Sequence, residues 1–133
     1  MPSPLPLPVT LITACIMTLF YLALAVRVVR GRTHYRISLG DGGNPDMQAR
    51  VRIHGNFIEY VPLALILMGL LETSNVNPIA LTVIGGLLIL VRVMHVFGVP
   101  RRAPNVFRVG GAGGTFVLLA VLAVWGLVLA FTA

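Results

Sequence analysis

Arg52, Asn56 and Glu59 are spaced i, i+4 and i+7, so on a helix all three line one stripe. Glu59 would lie about 10 Å further along the axis than Arg52, at 1.5 Å per residue. Arg92 and His95 share a face at i and i+3, and Arg108 opens the last apolar segment. A guanidinium grips a carboxylate with two parallel bonds, an amide pairs with peptide groups, and a carboxylate takes an ammonium. Gathered at one end of a helical bundle, these six side chains match a ligand with two carboxylates, an amino group and amide bonds. Glutathione is such a ligand. No group of His, Cys, Asp or Glu has metal-ligand spacing, so no metal site is expected.

Each residue also has a plainer role open to it. Glu59 could pair with an arginine of a neighbouring helix and serve packing or registry alone. Arg92 could snorkel to lipid headgroups, and His95 could be an interfacial residue bonded to a carbonyl. Arg108, a cation at a helix N-terminus, opposes the macrodipole, which fits either phospholipid contact or the binding of an anion.

The elements that must position these groups follow from composition. Of 133 residues, 57% are hydrophobic and only 11% charged. A soluble domain of this size needs more charged surface, so the bilayer is the expected solvent. Four apolar segments, about residues 9–29, 47–71, 78–96 and 110–131, are each long enough to cross a hydrocarbon core of roughly 30 Å. The expected fold is all-α, a single domain made of a four-transmembrane-helix bundle. The opening MPSPLPLP carries no positive charge and precedes an apolar run longer than a signal h-region, so a cleaved signal peptide is not expected. Pro62 cannot donate to the Ile58 carbonyl, which predicts a bend in the second helix. Gly110-Gly111-Ala112-Gly113-Gly114 contains a GxxxG, a device for close helix packing, and lacks the form of a phosphate loop. Cys15 is the single cysteine, which excludes an internal disulfide.

All ten cations are arginines, and all ten lie in or beside the first and third loops: Arg27, Arg30, Arg32, Arg36, Arg50 and Arg52, then Arg92, Arg101, Arg102 and Arg108. Four spans place those loops on one side, and the positive-inside rule makes that side cytoplasmic, with both termini outside. Trp125 falls near the outer end of the last helix, as an interfacial aromatic would. The net charge of +6 flanks apolar runs and forms no separate basic face, so nucleic acid is not an expected partner. A carboxylate at a helix centre costs roughly 2.5–3.5 kcal/mol when it faces lipid, so Glu59 should face a bundle interior, a partner helix or a watery cavity.

The motif Arg52-x-x-x-Asn56-x-x-Glu59-Tyr60-x-Pro62 resembles the second-helix signature of the MAPEG family, the membrane-associated proteins in eicosanoid and glutathione metabolism. The stretch RVRIHGNFIEYVPLALILMGLLE is similar to the bacterial branch, as are HYRISLGDGG before it and RVMHVFG after it, so the resemblance runs from about Tyr35 to Arg108. It implies a homotrimer in a bacterial inner membrane, with glutathione as co-substrate between neighbouring subunits near the cytoplasmic face. Arg52, Asn56, Glu59 and Tyr60 would contact glutathione, Arg92 and His95 would help line its site, and Arg108 would stabilise the thiolate. A thiol with pKa near 8.5 is only a few per cent ionised at neutral pH, and a nearby guanidinium lowers that value. A two-unit drop would be worth about 2.7 kcal/mol.

The activity implied is a glutathione transferase or peroxidase, with membrane lipids as partners and a small hydrophobic electrophile or lipid hydroperoxide as second substrate. Val99, Gly55 and Val109 stand where some members carry tyrosine, arginine and serine, which implies weaker hold on glutathione or use of another thiol. A non-catalytic lipid- or thiol-binding protein of the same family is the alternative. A proton-coupled transporter using Glu59 ranks third, because the site holds more arginine than acid.

Overall fold

The computed structural model describes residues 5–132, so the reading of the first eight residues as no signal peptide lies partly outside it. Four helices follow one another: α1 Pro8–Tyr35, α2 Pro45–Thr73, α3 Pro78–Gly98 and α4 Val106–Thr132. Each is long and apolar enough to cross a membrane. The structure is all-helical, as expected.

Local chemistry sets the helix ends. Proline opens α1, α2 and α3, where its missing N–H costs nothing. Asn44 caps α2, its Oδ1 accepting from the Met47 N–H at 2.9 Å. Asn77 caps α3 in the same way through Ile79 and Ala80. Asn105 does this for α4: its Oδ1 accepts from the Arg108 N–H at 2.9 Å, and its Nδ2 donates to the Gly98 carbonyl at 3.0 Å. That side chain ties the end of α3 to the start of α4, so α4 begins four residues before the expected position and takes Arg108 into its first turn. The first helix likewise overruns the apolar segment, continuing through Arg30 and Arg32 because arginine is a good helix former. Arg36 ends it in the left-handed conformation, its N–H donating to the Arg32 carbonyl. Helix α2 runs on through Pro62 without interruption.

The helices bury a shared apolar core that includes Met17, Leu24, Phe57, Val61, Met68, Leu81, Leu88 and Leu122. Helices α3 and α4 approach most closely through glycine. A Cβ on Gly111 would stand 2.5 Å from the His95 backbone nitrogen, one on Gly114 would stand 2.6 Å from Val91, and one on Gly98 would collide with the Arg108 backbone. The GxxxG reading therefore holds within the protomer, while Gly113 turns to open space. Large apolar side chains such as Leu19, Leu63, Leu90, Val117 and Val128 remain exposed around the outside, as a lipid-facing surface requires.

The two ends of the bundle are closed differently. At the arginine-bearing end, Asp46 accepts from Arg50 at 2.7 Å and from the Tyr35 hydroxyl at 2.9 Å, while Arg50 also donates to the Arg27 carbonyl. These bonds pin α1 to α2. At the far end, the Glu72 carboxylate accepts from the Val9 and Thr10 backbone N–H groups at 2.8 and 2.7 Å. A residue from the last turn of α2 thus caps the first turn of α1, where a negative charge also favours the helix dipole. Glu72→Ala should cost about 1 kcal/mol, the usual effect of losing a cap, and Glu72→Gln less, because the amide oxygen still accepts. Unfolding in detergent measures both; an alanine variant as stable as the wild type would contradict the capping role.

Candidate functional site

The polar residues of α2, α3 and α4 meet towards the arginine-bearing end in two tiers. The inner tier is buried. Arg92 is only 1% exposed, yet its Nη2 donates to Asn56 Oδ1 at 2.8 Å and its Nη1 to Thr115 Oγ1 at 3.3 Å. Its guanidinium also lies 5.6 Å from the centre of the Phe57 ring, a cation–π contact. Every one of these partners is neutral. The Arg92 Nε and the Nδ1 of His95, one turn further along α3, are buried with no hydrogen-bond partner among the described residues. A charge taken out of water is costly unless it is paired, so this guanidinium is under-compensated by its own protomer.

The outer tier faces away from the bundle. Arg52 Nη1 stands 3.4 Å from Glu59 Oε1, with the two side chains 59% and 47% exposed. Arg108 is exposed on the first turn of α4. Tyr60 is partly buried, its ring edge-on to Phe116 with the centroids 5.2 Å apart. The His95 backbone packs against Gly111 of α4, and the Arg108 backbone packs against Gly98 of α3. Of the seven residues singled out by sequence, Asn56 and Arg92 bond in the interior and Arg52 and Glu59 pair on the outer face, while Tyr60, His95 and Arg108 make no side-chain hydrogen bond or ion pair with the other six among the described residues.

Three expectations need correction. Arg52, Asn56 and Glu59 do not share one environment: Asn56 turns inward to Arg92 and is 7% exposed, while Arg52 and Glu59 point outward. Positions i+4 and i+7 sit about 40° and −20° from position i, at 100° per residue, and the α2–α3 contact divides them. Arg92 does not snorkel to headgroups, because Asn56 and Thr115 hold it in the interior. Glu59 pairs with an arginine of its own helix and with none from a neighbouring helix. Sequence reasoning missed Thr115 and Phe57. Thr115 is an isolated hydroxyl in an apolar helix, and its bond to the Gly111 carbonyl at 2.7 Å is the ordinary self-satisfaction of a helical threonine. Only its second role, accepting from Arg92, marks it as part of the site.

Two cavities adjoin this region. A cleft of about 370 Å³ runs along the outside of α2 past Gln48, Arg52, Gly55 and Glu59, bordered by Asp41 of the first loop. An apolar groove of about 260 Å³ lies between α1 and α2, lined by Met17, Tyr21, Phe57, Val61 and Pro62 among others.

Four long apolar helices enclosing an arginine-centred polar cluster at one end define an integral membrane protein. The MAPEG family model matches residues 10–128, and the chain belongs to that family. It is 35% identical over 117 residues to the inner membrane protein YecN of Escherichia coli strain K12, a match covering 86% of this chain and 88% of that protein. The YecN of Escherichia coli O6:H1 strain CFT073 matches to the same extent. No solved structure matches the chain.

The Asn56–Arg92 bond should be the energetic centre of the inner tier. Asn56→Leu is expected to cost about 1.5–3 kcal/mol, the range for a hydrogen bond to a charged group. Arg92→Met added to it should recover part of that loss, because the charge leaves with its partner. A double-mutant cycle by unfolding in detergent checks this; additive effects would contradict it.

Proposed function

We propose that this protein is a membrane-bound, glutathione-dependent transferase or peroxidase acting on hydrophobic electrophiles or lipid hydroperoxides. The observation that carries this reading is the under-compensated Arg92 beside an outward-facing Arg52–Glu59 pair. The buried cation calls for an anion, and the exposed pair calls for a cover other than lipid. A homotrimer meets both needs: a neighbouring copy seals the outer face of α2, and glutathione lies in the seam with its carboxylates on arginines. Family membership supports the same ligand class.

In this reading Arg52, Asn56, Glu59 and Tyr60 bind glutathione, and Arg92 and His95 support them from within. Arg108 acts on the sulfur. Its guanidinium stabilises the thiolate electrostatically, and the thiolate attacks an electrophile arriving from the bilayer. The groove between α1 and α2 offers an apolar resting place for that second substrate. YecN is by name an inner membrane protein, and the arginine distribution supports a reading with the site on the cytoplasmic side and both termini outside. The non-catalytic alternative keeps the ligand and loses the chemistry, and Val109 beside Arg108 is the residue that favours it.

Titration of the detergent-purified protein with glutathione, followed by conjugation to a generic aromatic electrophile, tests the proposal. Binding with turnover is expected, and Arg108→Ala should lower turnover at least tenfold while leaving glutathione affinity within a few-fold, since thiolate stabilisation is its role. Binding without turnover would select the non-catalytic alternative, and no binding would overturn the glutathione reading. Topology is tested separately: a C-terminal alkaline phosphatase fusion should be active and a fluorescent-protein fusion dark, and the reverse would overturn the orientation.

A further inference from the structure

Residues 73–133 contain four arginines and no acid. Arg92 is buried in the bundle, and Arg108 belongs to the thiol chemistry proposed above. That leaves Arg101 and Arg102, both exposed, in the turn between α3 and α4. Neither has an ion-pair partner among the described residues. Elsewhere at this end Asp46 holds Arg50, Glu59 stands by Arg52, and the Gly40 carbonyl accepts from Arg32. The charge of the turn is therefore left for something outside the protomer.

The turn is fixed through its backbone. The Arg101 N–H donates to the Gly98 carbonyl at 3.2 Å, and Asn105 Nδ2 donates to the carbonyls of Gly98 and Arg102 at 3.0 and 3.2 Å. None of these bonds uses an arginine side chain. The Arg101 guanidinium lies 4.8 Å from the centre of the Phe107 ring, a cation–π contact that holds it over the first turn of α4.

Apolar surface begins beside that cation. Val106 is 78% exposed and Val109 62%, and both border a cleft of about 480 Å³ completed by Pro104, Asn105 and Gly110. The apolar span of α4 starts at about Gly110, so this cleft lies where hydrocarbon gives way to headgroups. A soluble acidic partner would satisfy the arginines and leave the valines uncovered. A plain topology signal would need the charge alone, with neither a guanidinium held on a ring nor a cleft next to it. Two cations at the rim of an apolar cleft are complementary to an anionic lipid, whose phosphate takes the guanidinium forks while a chain covers the valines.

We infer that Arg101 and Arg102 bind the phosphate of an anionic phospholipid, one acyl chain of which lies in the cleft beside Val106 and Val109. This binding needs neither thiol nor turnover. Native mass spectrometry of the detergent-purified full chain, titrated with phosphatidylglycerol or phosphatidylcholine of matched acyl chains, reads lipid affinity directly. Each cation near an anionic headgroup strengthens association about fivefold, so the wild type should prefer phosphatidylglycerol by about tenfold or more. Arg101→Gln/Arg102→Gln should lose that preference and change little for phosphatidylcholine, with the turn intact because its bonds run through the backbone. Arg30→Gln/Arg36→Gln removes the same charge from exposed arginines at the end of α1 and should keep the preference. Soluble glycerol 3-phosphate, a head without chains, should fail to displace the lipid. Equal affinity of the wild type for the two lipids, an equal loss in both double variants, or displacement by glycerol 3-phosphate would overturn the inference.

Discussion

A guanidinium buried inside an apolar helical bundle is the constraint around which the rest of this molecule is arranged. Arg92 can occupy that position only because Asn56 and Thr115 accept hydrogen bonds from it and Phe57 offers the face of its ring. None of these partners carries charge, so the cation stays under-compensated in a medium where isolated charge is expensive. Its three contacts come from α2 and α4, which fixes how both helices sit against α3. The site and the bundle are thus one construction at this end.

Close approach of α3 and α4 is the second requirement. Gly98, Gly111 and Gly114 remove the side chains that would otherwise hold the two helices apart, and Asn105 bonds across the turn between them. As a result Arg108 comes down near His95 rather than standing out in the loop. The opposite end, closed by the Glu72 cap on α1, has no arginine among the described residues and includes an apolar cleft of about 590 Å³ between α2 and α4.

Much of this was legible in the residues. Apolar segment lengths marked four helices, the arginines marked one end, and the spacing of Arg52, Asn56, Glu59, Arg92 and His95 marked the helices that carry the polar groups. Facing was not legible. Whether i+4 or i+7 turns inward depends on the rotation of α2 about its own axis, which packing decides and no single-helix period contains. Thr115 was invisible for a related reason: a helical threonine satisfies itself locally, and its second bond exists only once α3 lies alongside. Arg108 was placed at the right helix but outside its first turn, because the reach of the Asn105 cap is a tertiary effect.

In the proposed function the outward Arg52–Glu59 face is completed by another copy of the chain, with an anionic thiol ligand in the seam. Native mass spectrometry of the detergent-solubilised protein in glutathione measures this directly. Trimers carrying glutathione are expected, with both the assembly and the bound ligand weakened in Arg52→Leu. A monomer that binds glutathione undiminished, or a trimer indifferent to Arg52, would contradict it.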